Sequence, residues 1–179
     1  ISTSDISGFQ NDYTNWLQYN LIESGFVSES MASCWGAEGC LGKKYILLGP
    51  DNGNDVYIRA VEIDPVSDFK ILNTQGWSAL EITVQDVDLV YKLLKDSPFK
   101  ILGIPRALND FSPIKAMQIN GPAKEVVYLT GNTGDRLKSN HPEPTTLIDR
   151  IFIMVLAGND LEKLKQFLKK IYQLYLQNV

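Results

Sequence analysis

The stretch Trp77-Ser78-Ala79-Leu80-Glu81-Ile82-Thr83-Val84-Gln85-Asp86-Val87-Asp88 decides how this chain is read. Leu80, Ile82 and Val84 alternate with Ala79, Glu81 and Thr83, so the run is a strand with one oily face. Asp86 then caps a helix, because a carboxylate at that point accepts from the free N–H groups of a first turn. Val90, Leu93 and Leu94 give the helix an apolar stripe, and it ends before Pro98. Three more strands are expected over Phe99 to Ile104, Ile114 to Ile119 and Glu125 to Thr130, the last two joined by the turn Asn120-Gly121-Pro122-Ala123-Lys124. The order is strand, helix, strand, strand, strand.

The same grammar recurs on both sides. Upstream, Asp5 caps a helix carrying Phe9, Tyr13 and Trp16 or Leu17, with Gly25 just past its C-terminus. Strands are expected to follow over Phe26 to Trp35, Lys44 to Leu48 and Val56 to Ile63, and Ile1-Ser2-Thr3-Ser4-Asp5 aligns with Ile82-Thr83-Val84-Gln85-Asp86 as the tail of a leading strand. Downstream, Ile151, Ile153 and Val155 alternate with Arg150, Phe152 and Met154. Asn159 with Glu162 then forms a capping box for a helix through Leu164, Leu168, Ile171 and Tyr175.

This repeat, at a spacing of about 70 residues, divides the chain. Residues 1–64 form a first module that lacks most of its leading strand, 65–76 a linker, and 77–131 a complete βαβββ module. Residues 132–146 form a second, polar linker, and 147–179 the strand and helix that begin a third module. The natural gene product is expected to extend past both ends, since Ile1 is not an initiator methionine and the third unit stops after its helix. Left alone, the strand Ile148 to Val155 would present unpaired edges, and it is expected to pair with the first module's sheet, in the same chain or in a partner.

Composition narrows the function. Hydrophobic residues at 44% and charged residues at 21% are those of a soluble globular chain, which excludes wholesale disorder. A net charge of -4 argues against nucleic acid, and the densest lysine cluster, Lys163 to Lys170, is broken by Leu164, Phe167 and Leu168 into the solvated side of a helix. No apolar stretch approaches the ~20 residues of a membrane span and no signal-peptide pattern opens the chain, so no membrane partner and a cytoplasmic location are expected. Cys34 and Cys40 have neither redox-pair nor zinc-knuckle spacing; Cys34 is expected to be buried in its strand and Cys40 to lie in a loop. Gly36-Ala37-Glu38-Gly39 and Gly131-Asn132-Thr133-Gly134 lack the strand-to-helix context of a phosphate loop and read as turns.

The run Trp77 to Asp88 resembles the opening strand of the vicinal oxygen chelate superfamily, the glyoxalase, bleomycin-resistance and extradiol dioxygenase proteins, in which Val-x-Asp precedes the module's helix. Ala116-Met117-Gln118-Ile119-Asn120-Gly121-Pro122 leading into Glu125-Val126-Val127-Tyr128-Leu129 is similar to that family's third strand, tight turn and fourth strand. The resemblance implies an α+β fold of tandem βαβββ modules, forming a curved mixed sheet around a cavity with helices outside. It also implies that catalytic members hold a divalent metal with residues from the first and fourth strands. Those positions fall here on Ala79, Arg150, Tyr128 and Arg59, and neither alanine nor a permanently protonated arginine ligates a metal. The single histidine, His141, sits in a Pro-flanked linker, so a metal is possible only with ligands outside this chain, and no other cofactor is evident.

The candidate ligand-binding residues are Arg59, Trp77, Glu81, Tyr128 and Arg150, with Trp35 and either Met117 or Gln118 beside them. Arg59 suits a carboxylate or phosphate and the tryptophans a planar ring. Two plainer readings stay open: Arg59 and Glu81 form a buried structural ion pair, and Tyr128 and the tryptophans are core. The functional expectation is a protein that binds a small anionic or aromatic molecule between modules. The alternative is a metal-dependent lyase, isomerase or dioxygenase completed by residues elsewhere, and a homodimer without a ligand is the third.

Overall fold

In a computed structural model, all residues are described except 54, 111, 136–139 and 177–179, with only the helical course given over 171–176. Within 1–64 the elements are β1 (Ser2–Thr3), α1 (Ile6–Trp16), β2 (Tyr19–Phe26), α2 (Glu29–Trp35), β3 (Lys44–Pro50) and β4 (Ile58–Glu62). The complete unit has β5 (Gly76–Val84), α3 (Val87–Leu94), β6 (Lys100–Ala107), β7 (Ile114–Asn120) and β8 (Val126–Asn132), and then come β9 (Ile148–Ala157) and α4 (Leu161–Leu176). They make a four-stranded sheet ordered β1-β4-β3-β2 and a five-stranded sheet ordered β6-β7-β8-β5-β9. The leading strand lies parallel on the fourth in both, β1 on β4 and β5 on β8, and the other pairs within each module are antiparallel. This is the βαβββ module built twice.

The alternation read in β5 is met by the packing. Leu80, Ile82 and Val84 are buried with Val87, Val90 and Leu94 of α3 and with Val127 and Leu129 of β8. At about 1.5–3 kcal/mol for each fully buried aliphatic side chain, that face is ample reason for the strand's register. Asp86 caps α3 through the N–H groups of Asp88 and Leu89, and Asp5 caps α1 through Gly8. The two modules share one core: Phe9 and Tyr13 of α1 are buried in the same cluster, and Tyr13 meets Phe99 of the second module edge-to-face at 5.8 Å. Thirteen residues of chain between Glu62 and Gly76 connect them.

Five expectations are corrected. Residues 26–35 are not a strand: β2 ends at Phe26, and Ser28, accepting from Met31 N–H, caps helix α2, which Gly36 closes at φ 60°. Gly25 therefore lies within β2, α1 ends at Trp16, and Cys34 is exposed on a helix. The edge strand β2 escaped notice because six of its eight residues are exposed and it carries no oily alternation. The cap of α4 is Asp160, whose carboxylate accepts from Lys163 N–H, rather than Asn159. Ile171 and Tyr175, assigned to that helix's apolar stripe, lie outside the described side chains.

The last correction concerns β9, which pairs antiparallel with β5 and not with the first module's sheet. A strand of ten residues needs a long ladder; β5 offers nine residues on its open edge, whereas β1 offers two. The first module reaches β9 through side chains: Tyr19 donates to the Asp149 carbonyl at 2.6 Å, and the Asn52 amide donates to the Asp149 carboxylate.

Candidate functional site

Five residues were singled out by sequence, and the structure brings two of them directly together. Glu81 on β5 and Tyr128 on β8 are register partners, with Gln118 of β7 opposite Tyr128 and Ile153 of β9 opposite Glu81. Gln118 is thus the β7 residue beside the pair, while Met117 is buried in the core. Thr130 Oγ1 donates to Glu81 Oε2 at 3.2 Å. Burial pushes the Glu81 carboxyl above its usual range, and the Thr130 bond opposes that shift.

The other three lie apart. Arg150, on β9, has its guanidinium 3.7 Å from the carboxylate of Asp149, which is fully buried. Arg59 is on β4 of the other sheet, exposed, with its guanidinium 5.3 Å from the ring centroid of Trp35 and 5.6 Å from that of Tyr45. Arg59 and Glu81 make no ion pair, so the structural pairing considered above does not form. Trp77 stands at the start of β5, 67% exposed, on the rim of a cavity that none of the other four lines.

That cavity has a volume of about 550 Å³ and lies between the first two modules. One wall is the start of the chain, Ile1 to Ser4; a second is the connection after β4, with Val66, Phe69 and Leu72. The floor and far wall are Trp77 to Leu80, the turn Pro122 to Glu125, and Met154 of β9. Val66, Phe69, Leu72, Trp77 and Met154 are all at least 40% exposed, and all five border this one space. Exposed apolar side chains scattered singly are ordinary, but their convergence on one hollow is the form of a small-molecule site. Leu72 and Lys124, two of the three non-glycine residues with positive φ among the described residues (59° and 63°), also border it. Such backbone is held in place at some cost and tends to gather at binding sites.

Among the polar groups in this wall is Glu125, which sequence reasoning placed in a strand and did not select. Its Oε1 accepts from Tyr13 Oη at 2.8 Å, and its Oε2 accepts from the Ala123 N–H at 2.8 Å. Burial raises its pKa, with both hydrogen bonds working the other way. Tyr13 is fully buried and its hydroxyl is pushed well above the ordinary value, by burial first and then by Glu125, so it serves as a donor and not as an acid. The available signal was the helical spacing of Phe9 and Tyr13, which announces a core tyrosine that must find a partner for its hydroxyl.

A metal does not fit the residues present. The positions that would ligate one hold Ala79, Tyr128, Arg59 and Arg150, and among the described residues no three His, Cys, Asp or Glu side chains converge. Glu81 offers one carboxylate beside a hydroxyl and a phenol, too few donors for a divalent site. Among the described residues no helix is long and apolar enough to cross a membrane.

No family model matches the sequence, and no curated protein matches it. Solved structures do. Glyoxalase I from Zea mays superposes with a TM-score of 0.63 at 16% identity, covering 93% of this chain and 50% of that one. A glyoxalase family protein from Bacillus cereus gives 0.55 at 14% identity over 75% of this chain and 91% of its own. A glyoxalase/bleomycin resistance protein/dioxygenase from Alicyclobacillus acidocaldarius gives 0.51 at 14% identity over 78% and 92%. The chain spans about half the length of the maize structure.

Proposed function

The chain has the fold of the vicinal oxygen chelate superfamily, and on that premise we propose that it binds a small, largely aromatic or apolar molecule in the cavity between its first two modules, without a metal. The observation that carries this reading is the convergence of five exposed apolar side chains, Trp77 and Phe69 among them, on a hollow of about 550 Å³. A volume in the range of roughly 300–1,000 Å³ suits a molecule of drug or metabolite size. Of the two ligand classes expected from sequence, the aromatic one gains support. The anionic one rested on Arg59, which does not line this space.

The test is a thermal-shift and calorimetric screen of aromatic and phosphorylated small molecules against the protein and a Trp77→Ala variant. Binding of an aromatic compound that weakens at least tenfold in Trp77→Ala supports the reading, by the loss of a large ring contact. Phosphorylated, non-aromatic compounds binding equally well to both proteins would overturn it.

A second reading keeps the open face of the five-stranded sheet as the site of a metal-dependent lyase, isomerase or dioxygenase. Glu81, half-buried and set against Tyr128, is the observation in its favour. Stoichiometric divalent metal that is lost in Glu81→Gln would establish it, and its absence from a protein dialysed against manganese or zinc would remove it.

A further inference from the structure

Resting on the cavity reading above, we propose that the ligand carries a cationic nitrogen on an aromatic or apolar body, with the nitrogen at Glu125 and the body against Trp77 and Phe69. Glu125 is half-buried in the cavity wall, yet among the described residues no lysine, arginine or histidine lies within ion-pair distance of it. A buried carboxylate without a counter-cation costs several kcal/mol, so such a group in a ligand cavity is matched either by a proton or by the ligand.

The nearby positive charges do not discharge that role. Lys124 is adjacent in sequence and also borders the cavity, but it is exposed at the turn and forms no ion pair with Glu125. The backbone nitrogen of Ile1 is engaged elsewhere, donating to the Arg59 carbonyl at 2.8 Å. Asp64, the other acid in the wall, points outward into a 2.9 Å pair with Lys43. Glu125 therefore remains the one carboxylate of the cavity whose charge is unmatched among the described residues.

Its geometry leaves room for such a partner. An ionised carboxylate has about four acceptor positions, of which Tyr13, Ala123 and the backbone N–H of Glu125 itself take three, leaving one for a ligand. These donors fix the orientation of the carboxylate without neutralising it. The aromatic faces of Trp77 and Phe69 complete the recognition, because a cation over a ring is attracted by its quadrupole. An anionic ligand would set its own charge beside Glu125, and a neutral one would leave that charge uncompensated.

Calorimetry at neutral pH with three probes of one ring system separates the possibilities: tryptamine, indole and indole-3-acetate. Tryptamine is expected to bind roughly ten- to a hundredfold tighter than indole, the scale of a charge-assisted hydrogen bond, with indole-3-acetate weakest. In Glu125→Gln the advantage of tryptamine over indole should disappear while indole binds as before. Indole binding as tightly as tryptamine to the unaltered protein would overturn the amine assignment and leave the aromatic cavity standing. Failure of all three to bind, or binding indifferent to Trp77→Ala, would overturn the cavity reading itself. The comparison of probes on the unaltered protein decides the matter even if Glu125→Gln does not fold.

Discussion

Replacing Tyr13 by Phe removes one oxygen from a ring whose other contacts stay in place: stacking on Phe9 at 4.3 Å and edge contacts with Tyr19 at 6.0 Å and Phe99 at 5.8 Å. What is lost is the 2.8 Å hydrogen bond from Tyr13 Oη to Glu125 Oε1, which crosses from the first module to the second. A hydrogen bond to a charged, partly buried acceptor contributes about 1.5–3 kcal/mol, so the variant should be less stable by about that amount where Glu125 is ionised. At about 2–4 °C per kcal/mol for a chain of this size, the melting temperature should fall by roughly 3–12 °C. Urea unfolding followed by circular dichroism measures the free energy directly. The deficit should also depend on pH. The lost bond favours the carboxylate form, so Tyr13→Phe is most costly where Glu125 is ionised and the difference shrinks as pH falls through the raised pKa of Glu125. A double substitution with Glu125→Gln should be less destabilised than the sum of the two, because the pair acts as one unit. A variant within about 0.5 kcal/mol of the parent, with no pH dependence in the difference, would refute the claim that this bond joins the modules.

Other outcomes follow from the same geometry. Glu125 is raised above its unfolded pKa, so its favourable contribution is present at pH below the unfolded value and is lost as pH rises through the folded one; the melting temperature of Glu125→Gln relative to the parent should therefore climb as pH rises from the ordinary carboxyl range through the raised folded value. Arg59→Ala should cost only about 0.5–1 kcal/mol, the worth of an exposed cation over Trp35 and Tyr45, and should leave aromatic binding in the cavity unchanged by calorimetry. Asp86→Ala removes the acceptor for two N–H groups of α3 and should destabilise by about 0.5–2 kcal/mol in urea, whereas Asp96→Ala, at an exposed surface pair, should stay within about 0.5 kcal/mol.

Much of this was legible in the residues alone. The oily alternation of Leu80, Ile82 and Val84, the capping aspartates Asp5 and Asp86, and the repeat of strand and helix are local signals, each set by spacing along a few residues. They were enough for the βαβββ module and for its second occurrence. Where local signal was weak, the reading slipped: β2 is exposed on nearly all its length and so carries no period, and α2 buries only Ala32.

What the sequence could not contain is which surfaces meet. Whether β9 joins β5 or the first module depends on how long an open edge each offers, and only the folded sheets show β5 with nine residues against two in β1. Arg59 and Glu81 share a favourable chemistry but stand on different sheets, while Tyr13 and Glu125, 112 residues apart, share a hydrogen bond. Side-chain parity is a property of neighbours along the chain, so the sequence determines it; a cavity is made by segments distant in sequence that pack incompletely, and that is decided only when the tertiary structure closes.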